Sequence, residues 1–165
     1  MRRTALLMVI GLGTGLMAAC GDDNGDPTEP TDPTEFAASL SGENADPPVE
    51  TDATGSAMFE APNATVSYRI EVQNLEGATA AHIHIGDEGA EGPAVVNLFT
   101  DASGRDVANG VLAEGTISAD DLVPGTSLDV EQVGALLASG EAYLDIHTLE
   151  HQDGELRGQI AAEED

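Results

Sequence analysis

From Val66 to Gln73 the chain reads Val-Ser-Tyr-Arg-Ile-Glu-Val-Gln, and no other stretch restricts its fold so tightly. Val66, Tyr68, Ile70 and Val72 alternate with Ser67, Arg69, Glu71 and Gln73, and a two-residue period puts one set on each face of an extended strand. A helix would scatter the same residues around its circumference. Phe36, Ala38 and Leu40 alternate in the same way. Further strands are expected at Gly55 to Glu60, Thr79 to Ile85, Ala94 to Thr100, Val111 to Ile117, Glu141 to Leu149 and Glu155 to Ala161. Turn-forming pieces separate them: Pro62-Asn63, Glu76-Gly77, Gly86-Asp87-Glu88-Gly89, Ala102-Ser103-Gly104 and Asp153-Gly154. About eight short strands with regular turns predict an all-β sandwich or barrel. One short helix interrupts them, with Val130, Val133, Leu136 and Leu137 at helical spacing, Ser127 as N-cap and Gly140 as its stop. A tighter turn is expected around Ser118 to Leu122. Both read as connections covering an end or edge of the sheet.

No disulfide can reinforce such a sheet, because Cys20 is the only cysteine in 165 residues. The core must be built from Val, Ile, Leu and Ala, since tryptophan is absent and only two tyrosines and three phenylalanines are present. Ahead of Cys20 stand Arg2 and Arg3, an apolar run from Ala5 to Leu16, and the small pair Ala18-Ala19. This is the pattern of a secretory signal at residues 1–19, and its apolar run is shorter than the roughly 20 residues a membrane-spanning helix needs. Met17-Ala18-Ala19-Cys20 resembles the lipobox of bacterial lipoproteins, with Met17 where leucine is usual. The resemblance implies cleavage before Cys20 and a lipid on its sulfur, hence an exported protein anchored to the cell membrane or outer membrane on the periplasmic or cell-surface side. The competing reading is an ordinary cleaved signal that leaves a free thiol.

Residues 20–34 follow as the lipidated cysteine and an acidic linker. The stretch GDDNGDPTEPTDPT contains no aliphatic side chain, so it has nothing to bury and is expected to be a disordered tether. One domain is expected over 35–162, with an acidic tail at 163–165. The whole chain carries 31 acidic residues against five basic ones, all arginine, for a net charge of −26. Without the signal peptide only Arg69, Arg105 and Arg157 remain against those 31, giving −28. Such an excess opposes compaction unless salt screens it, and the lysine-free composition resembles proteins of salt-loving organisms. Nucleic acid is excluded as a partner, because phosphate contacts need a basic patch.

In Ala80-Ala81-His82-Ile83-His84-Ile85-Gly86, Ala81, Ile83 and Ile85 share one strand face and His82 and His84 the other. Two histidines at i and i+2 offer two imidazoles to one metal ion. His147, in Ala142-Tyr143-Leu144-Asp145-Ile146-His147-Thr148, supplies a third opposite an aliphatic face. These motifs, with Gly92-Pro93-Ala94-Val95-Val96 and the later GELRGQI, resemble those of the CHRD (chordin) domain. Upstream, Phe36-Ala37-Ala38-Ser39-Leu40-Ser41-Gly42-Glu43, Pro47-Pro48-Val49 and Ala53-Thr54-Gly55 resemble that family's opening strand and first turn, so the likeness runs from about Phe36 to Ile160. It implies an immunoglobulin-like or superoxide-dismutase-like Greek-key sandwich or barrel, and no general enzymatic activity.

The His82-x-His84 strand is similar to the copper strand of copper/zinc superoxide dismutases. No bridging histidine with a neighbouring zinc cluster, no disulfide pair and no arginine placeable at a site rim accompanies it, so dismutation is not expected. Two readings of the histidines stay open: partly buried rings that hydrogen-bond the loops covering the sheet, or copper or zinc ligands. No cofactor is required by the first. His151 is expected to be a solvent-exposed turn residue, and Asp87, Glu88, Glu91 and Asp101 to be solvated loop charges rather than a calcium site.

In the last hairpin Leu144 and Ile146 must lie on the same side as Leu156, Gly158 and Ile160. A loop from Glu150 to Gly154 satisfies this and sets His147 opposite Arg157, whereas a two-residue Asp153-Gly154 turn sets it opposite Ile160. On the first register Arg157 can form an ion pair with Asp145 or Glu155 beside the histidines, Glu155 and Arg157 then serving structure. The expected function is a membrane-anchored, extracytoplasmic, non-enzymatic binding or structural module with a protein or matrix partner. The alternative is a copper- or zinc-binding protein using His82, His84 and His147.

Overall fold

The computed structural model describes residues 34–163. Its strands are β1 (Glu35–Ser41), β2 (Thr54–Glu60), β3 (Ser67–Ile85), β4 (Ala94–Thr116), β5 (Ala142–Thr148), β6 (Leu156–Gln159) and β7 (Ala161–Ala162). One helix, α1 (Val130–Ser139), lies between β4 and β5. The fold is all-β, as the alternation predicts, with seven strands rather than eight.

The count differs because two turn-forming sites bend strands instead of ending them, which merges four expected strands into two, and because the expected strand Glu155–Ala161 divides into β6 and β7. The expected strands Val66–Gln73 and Thr79–Ile85 are halves of β3, joined through Asn74 (φ 54°) and Gly77 (φ 63°) in the left-handed region. β4 unites Ala94–Thr100 with Val111–Ile117 in the same manner, up to Thr116, and Gly104 (φ 80°) marks its bend. A side chain at Gly104 would meet Leu149 Cδ1 at 2.6 Å, so the bend is closely packed as well as left-handed.

The bend in β3 closes the sheet. Strand order is β2-β1-β6-β5-β3-β4, and β2 also pairs with β3. The first half of β3 pairs with β2 (Ile70 opposite Ala57) and the second with β5 (Ile83 opposite Leu144), so β1, β2, β3, β5 and β6 form a closed antiparallel barrel. Closure leaves each of these five strands with at least two partners, which removes the exposed edges that invite aggregation. β4 lies along β3, and β7 pairs with β1.

The barrel core collects the aliphatic face of each strand, including Phe36, Leu40, Phe59, Ile70, Val72, Ile83, Leu144, Ile146 and Leu156. Burying a side chain of this size is worth about 1.5–3 kcal/mol, so the core replaces the missing disulfide. Helix α1 adds Val133 and Leu137 to it. Its N-cap is Asp129 rather than Ser127: the Asp129 carboxylate accepts from Gln132 N, and Gln132 Oε1 accepts from Asp129 N, both at 2.9 Å. That reciprocal pair satisfies two otherwise orphaned donors, which a lone serine cannot do. Gly140 (φ 73°) ends the helix as expected. Ala119–Asp121 forms the short turn foreseen near Ser118, closed by mutual Ser118 and Asp121 contacts. Among the described residues no helix is long and apolar enough to cross a membrane.

Candidate metal centre

The period that sends Ala81, Ile83, Leu144, Ile146 and Leu156 inward sends their neighbours outward. Across β3, β5 and β6 the outward residues form rows. His82 pairs with Asp145, which pairs with Arg157; His84 pairs with Tyr143, which pairs with Gln159; Ala80 faces His147. His82, His84 and His147 are therefore brought together, and Asp145 sits among them. Two connections roof this outer face. The segment after β3 contributes Gly92 O and Ala90 O, and the β5–β6 turn contributes Gln152 O.

Those carbonyls decide the state of the rings. His84 Nδ1 lies 2.8 Å from Gly92 O, and His147 Nδ1 lies 2.9 Å from Gln152 O. A carbonyl only accepts, so each Nδ1 carries a hydrogen and donates it, and in the neutral ring Nε2 keeps a lone pair. Both lone pairs face Asp145. His84 Nε2 is 3.1 Å from Oδ2, His147 Nε2 is 3.2 Å from Oδ1, and His82 Nδ1 is 3.7 Å from Oδ1. The approaches are close but not directed as hydrogen bonds: His84 Nε2, His147 Nε2 and Asp145 Oδ1 are buried without a hydrogen-bond partner.

Electron pairs on neutral imidazoles repel a carboxylate at this range, and leaving such groups unpaired costs about 1–3 kcal/mol each. Protons on the rings would relieve the repulsion, and so would a cation among them. The electrostatics carry both tendencies. Burial pushes the Asp145 carboxyl up, but the three imidazoles outweigh it and hold the group well below the usual carboxylate range. The approaching Asp145 carboxylate raises His147 above the ordinary imidazole value against the opposing effect of its own burial.

The donor set fits a metal. One ligand atom from each of His82, His84, Asp145 and His147 lies within 4.8 Å of the others. Three imidazole nitrogens and a carboxylate oxygen are donors of the kind that would hold zinc or copper. The Nδ1 donations from His84 and His147 to Gly92 O and Gln152 O fix the two rings, as outer contacts of the same kind do in metal sites. Tyr143 steadies the same corner: its ring stacks on His84 at 4.8 Å and 16°, and its hydroxyl accepts from Gly92 N at 3.2 Å.

The hairpin register differs from both expectations. Its parity is as required, with Leu144 opposite Gly158 and Ile146 opposite Leu156, but Arg157 faces Asp145 rather than His147, and His147 does not face Ile160. The strand is displaced because Glu155 is anchored elsewhere: it accepts from Thr51 Oγ1 and Thr148 Oγ1, each at 2.8 Å. Glu155 and Arg157 are consequently not an ion pair. Arg157 packs over the Tyr143 ring at 3.5 Å and donates to Ala90 O. It lines a cavity beside the histidines, the neighbourhood expected of it from the sequence, but without the expected ion pair. His151 sits in the β5–β6 turn outside the cluster, half-buried rather than exposed, and Asp87, Glu88, Glu91 and Asp101 form no ligand group among the described residues. Cys20 lies outside the described residues.

The fold and the site together define a closed all-β barrel that carries three histidines and an aspartate on its outer face. The CHRD domain family model matches residues 36–160, most of the chain, and the chain belongs to the CHRD domain family. No curated protein matches it.

Proposed function

We propose that this chain is an exported, lipid-anchored CHRD-domain protein acting as a non-enzymatic binding module, and that its domain binds copper or zinc through His82, His84, Asp145 and His147. One observation carries the metal reading: the buried, partnerless His84 Nε2, His147 Nε2 and Asp145 Oδ1 converge on one another. Gly92 O and Gln152 O hold the two rings in the tautomer that ligates through Nε2. The Met17-Ala18-Ala19-Cys20 pattern supports the anchor, and a protein or matrix partner at the membrane surface accords with a tethered module.

A second reading has its own support. The carboxylate that raises His147 also makes a metal-free imidazolium–carboxylate hub, holding the roof loops for structure alone. Thermal melts separate the two. Zinc or copper, but not calcium, should raise the midpoint of the wild-type domain, and His84→Ala should abolish that increment. Equal stabilisation by calcium and copper, or an unchanged copper effect in His84→Ala, would leave only the structural hub.

A further inference from the structure

Arg157 stands directly across from Asp145 in a chain crowded with carboxylates, yet among the described residues no carboxylate lies within ion-pair reach of it. It is 6 % exposed, and Asp145 is 7 % exposed. The two charges turn apart: Asp145 faces the imidazoles, and the guanidinium lies over Tyr143 with one donation to Ala90 O. A guanidinium has five N–H donors, and this contact set uses one.

A cavity of about 340 Å³ lies between the two groups. His84, Asp145 and His147 line it together with Tyr143, Gly92 and Arg157. His82 is absent from its lining, so the ligand set opens toward the arginine on the side away from His82. A cation among the ligands would give the cavity two positive walls.

We propose that this cavity takes a small monovalent carboxylate, one oxygen on the metal and the other on Arg157. This rests on the metal reading above. A planar carboxylate suits the guanidinium fork, and charge-assisted hydrogen bonds of this kind are among the stronger ones. The cavity selects for low charge as well. Asp46, Glu91 and Asp153 stand at its walls as exposed carboxylates, which repel multiply charged anions more than a monovalent one. The function so described is capture of a small carboxylate by the loaded domain, with no chemical step.

Formate titrated into the copper(II)-loaded domain tests this, read by the visible absorption of the metal. The wild type should show a saturable shift. Arg157→Gln should weaken formate by roughly tenfold to a hundredfold, while copper affinity stays level or rises because a neighbouring cation is gone. Arg157→Lys, which keeps the charge and loses the fork, should fall between them and covers the case in which the glutamine variant does not fold. A copper spectrum indifferent to formate, or equal formate affinity in wild type and variants, overturns the carboxylate site and leaves metal binding standing. Failure of the wild type to take up copper overturns both.

Discussion

Replacing Asp145 with asparagine separates a ligand from a structural charge, because it keeps the shape and removes only the anion. In the metal-free domain the side-chain amide can donate to one of the two Nε2 lone pairs that now face a carboxylate at 3.1 and 3.2 Å. The gain of that contact offsets the lost attraction to a protonated His147, so metal-free stability should shift by no more than about 1 kcal/mol. With metal the balance is different. Zinc at a hundredfold excess over its dissociation constant stabilises the wild type by about 2.7 kcal/mol. For a domain of this size that is a rise of about 10 °C. Losing an outer partner of a metal ligand costs about 10–100-fold in affinity, and losing the ligand itself costs at least as much. At a hundredfold loss the same zinc concentration only equals the dissociation constant. The increment then falls to about 0.4 kcal/mol, or about 1–2 °C. Scanning calorimetry with and without zinc, with calcium as control, gives both quantities. A full zinc increment in Asp145→Asn would refute the ligand assignment. So would a metal-free loss of about 3–5 kcal/mol, the signature of breaking a buried ion pair.

Mass spectrometry of the membrane fraction should find a mature chain that begins at lipidated Cys20; an unmodified cysteine in a soluble product removes the anchor. Melts in low and molar salt should differ, with the higher midpoint in salt, because a net charge of −26 needs screening; equal midpoints would mean that the acidic residues only solubilise. The raised pKa of His147 gives the metal-free domain stability that is complete below the unfolded value near 6.5 and is lost as pH rises through the higher folded value. Asp145, lowered by the same rings, contributes in full above its unfolded value near 3.8 and loses that contribution as pH falls from there toward the much more acidic folded value. Metal-free midpoints should therefore fall, and the zinc increment should grow, as pH rises from about 6 to 9. A His147→Gln variant with the same two slopes would count against this assignment.

The faces of this barrel are legible in the chain, whereas the alignment between them is not. Ala81-Ile83 and Leu144-Ile146 alternate with His82-His84 and Asp145-His147, so a two-residue period sorts core from site before any coordinates are known. Gly77 and Gly104 read as turns because glycine adopts left-handed backbone at no steric cost, but that conformation also bends a strand that continues, and the sequence does not distinguish the outcomes. The β5–β6 offset depends on Glu155 meeting Thr51, 104 residues away, a contact no local pattern encodes.

Asp145 shows the same limit at the site. Its signal is present, since it precedes His147 by two residues as His82 precedes His84, and it therefore shares the histidine face. Among 31 acidic residues that signal has no contrast. What singles Asp145 out is burial at 7 % exposure against three imidazoles, and burial is set by the roof loops. Those loops do more than cover it. Gly92 O and Gln152 O, backbone atoms carrying no side-chain identity, choose which nitrogen of His84 and His147 is bare. The sequence thus supplies the imidazoles, and the connections of the fold decide which of their nitrogens turn toward Asp145.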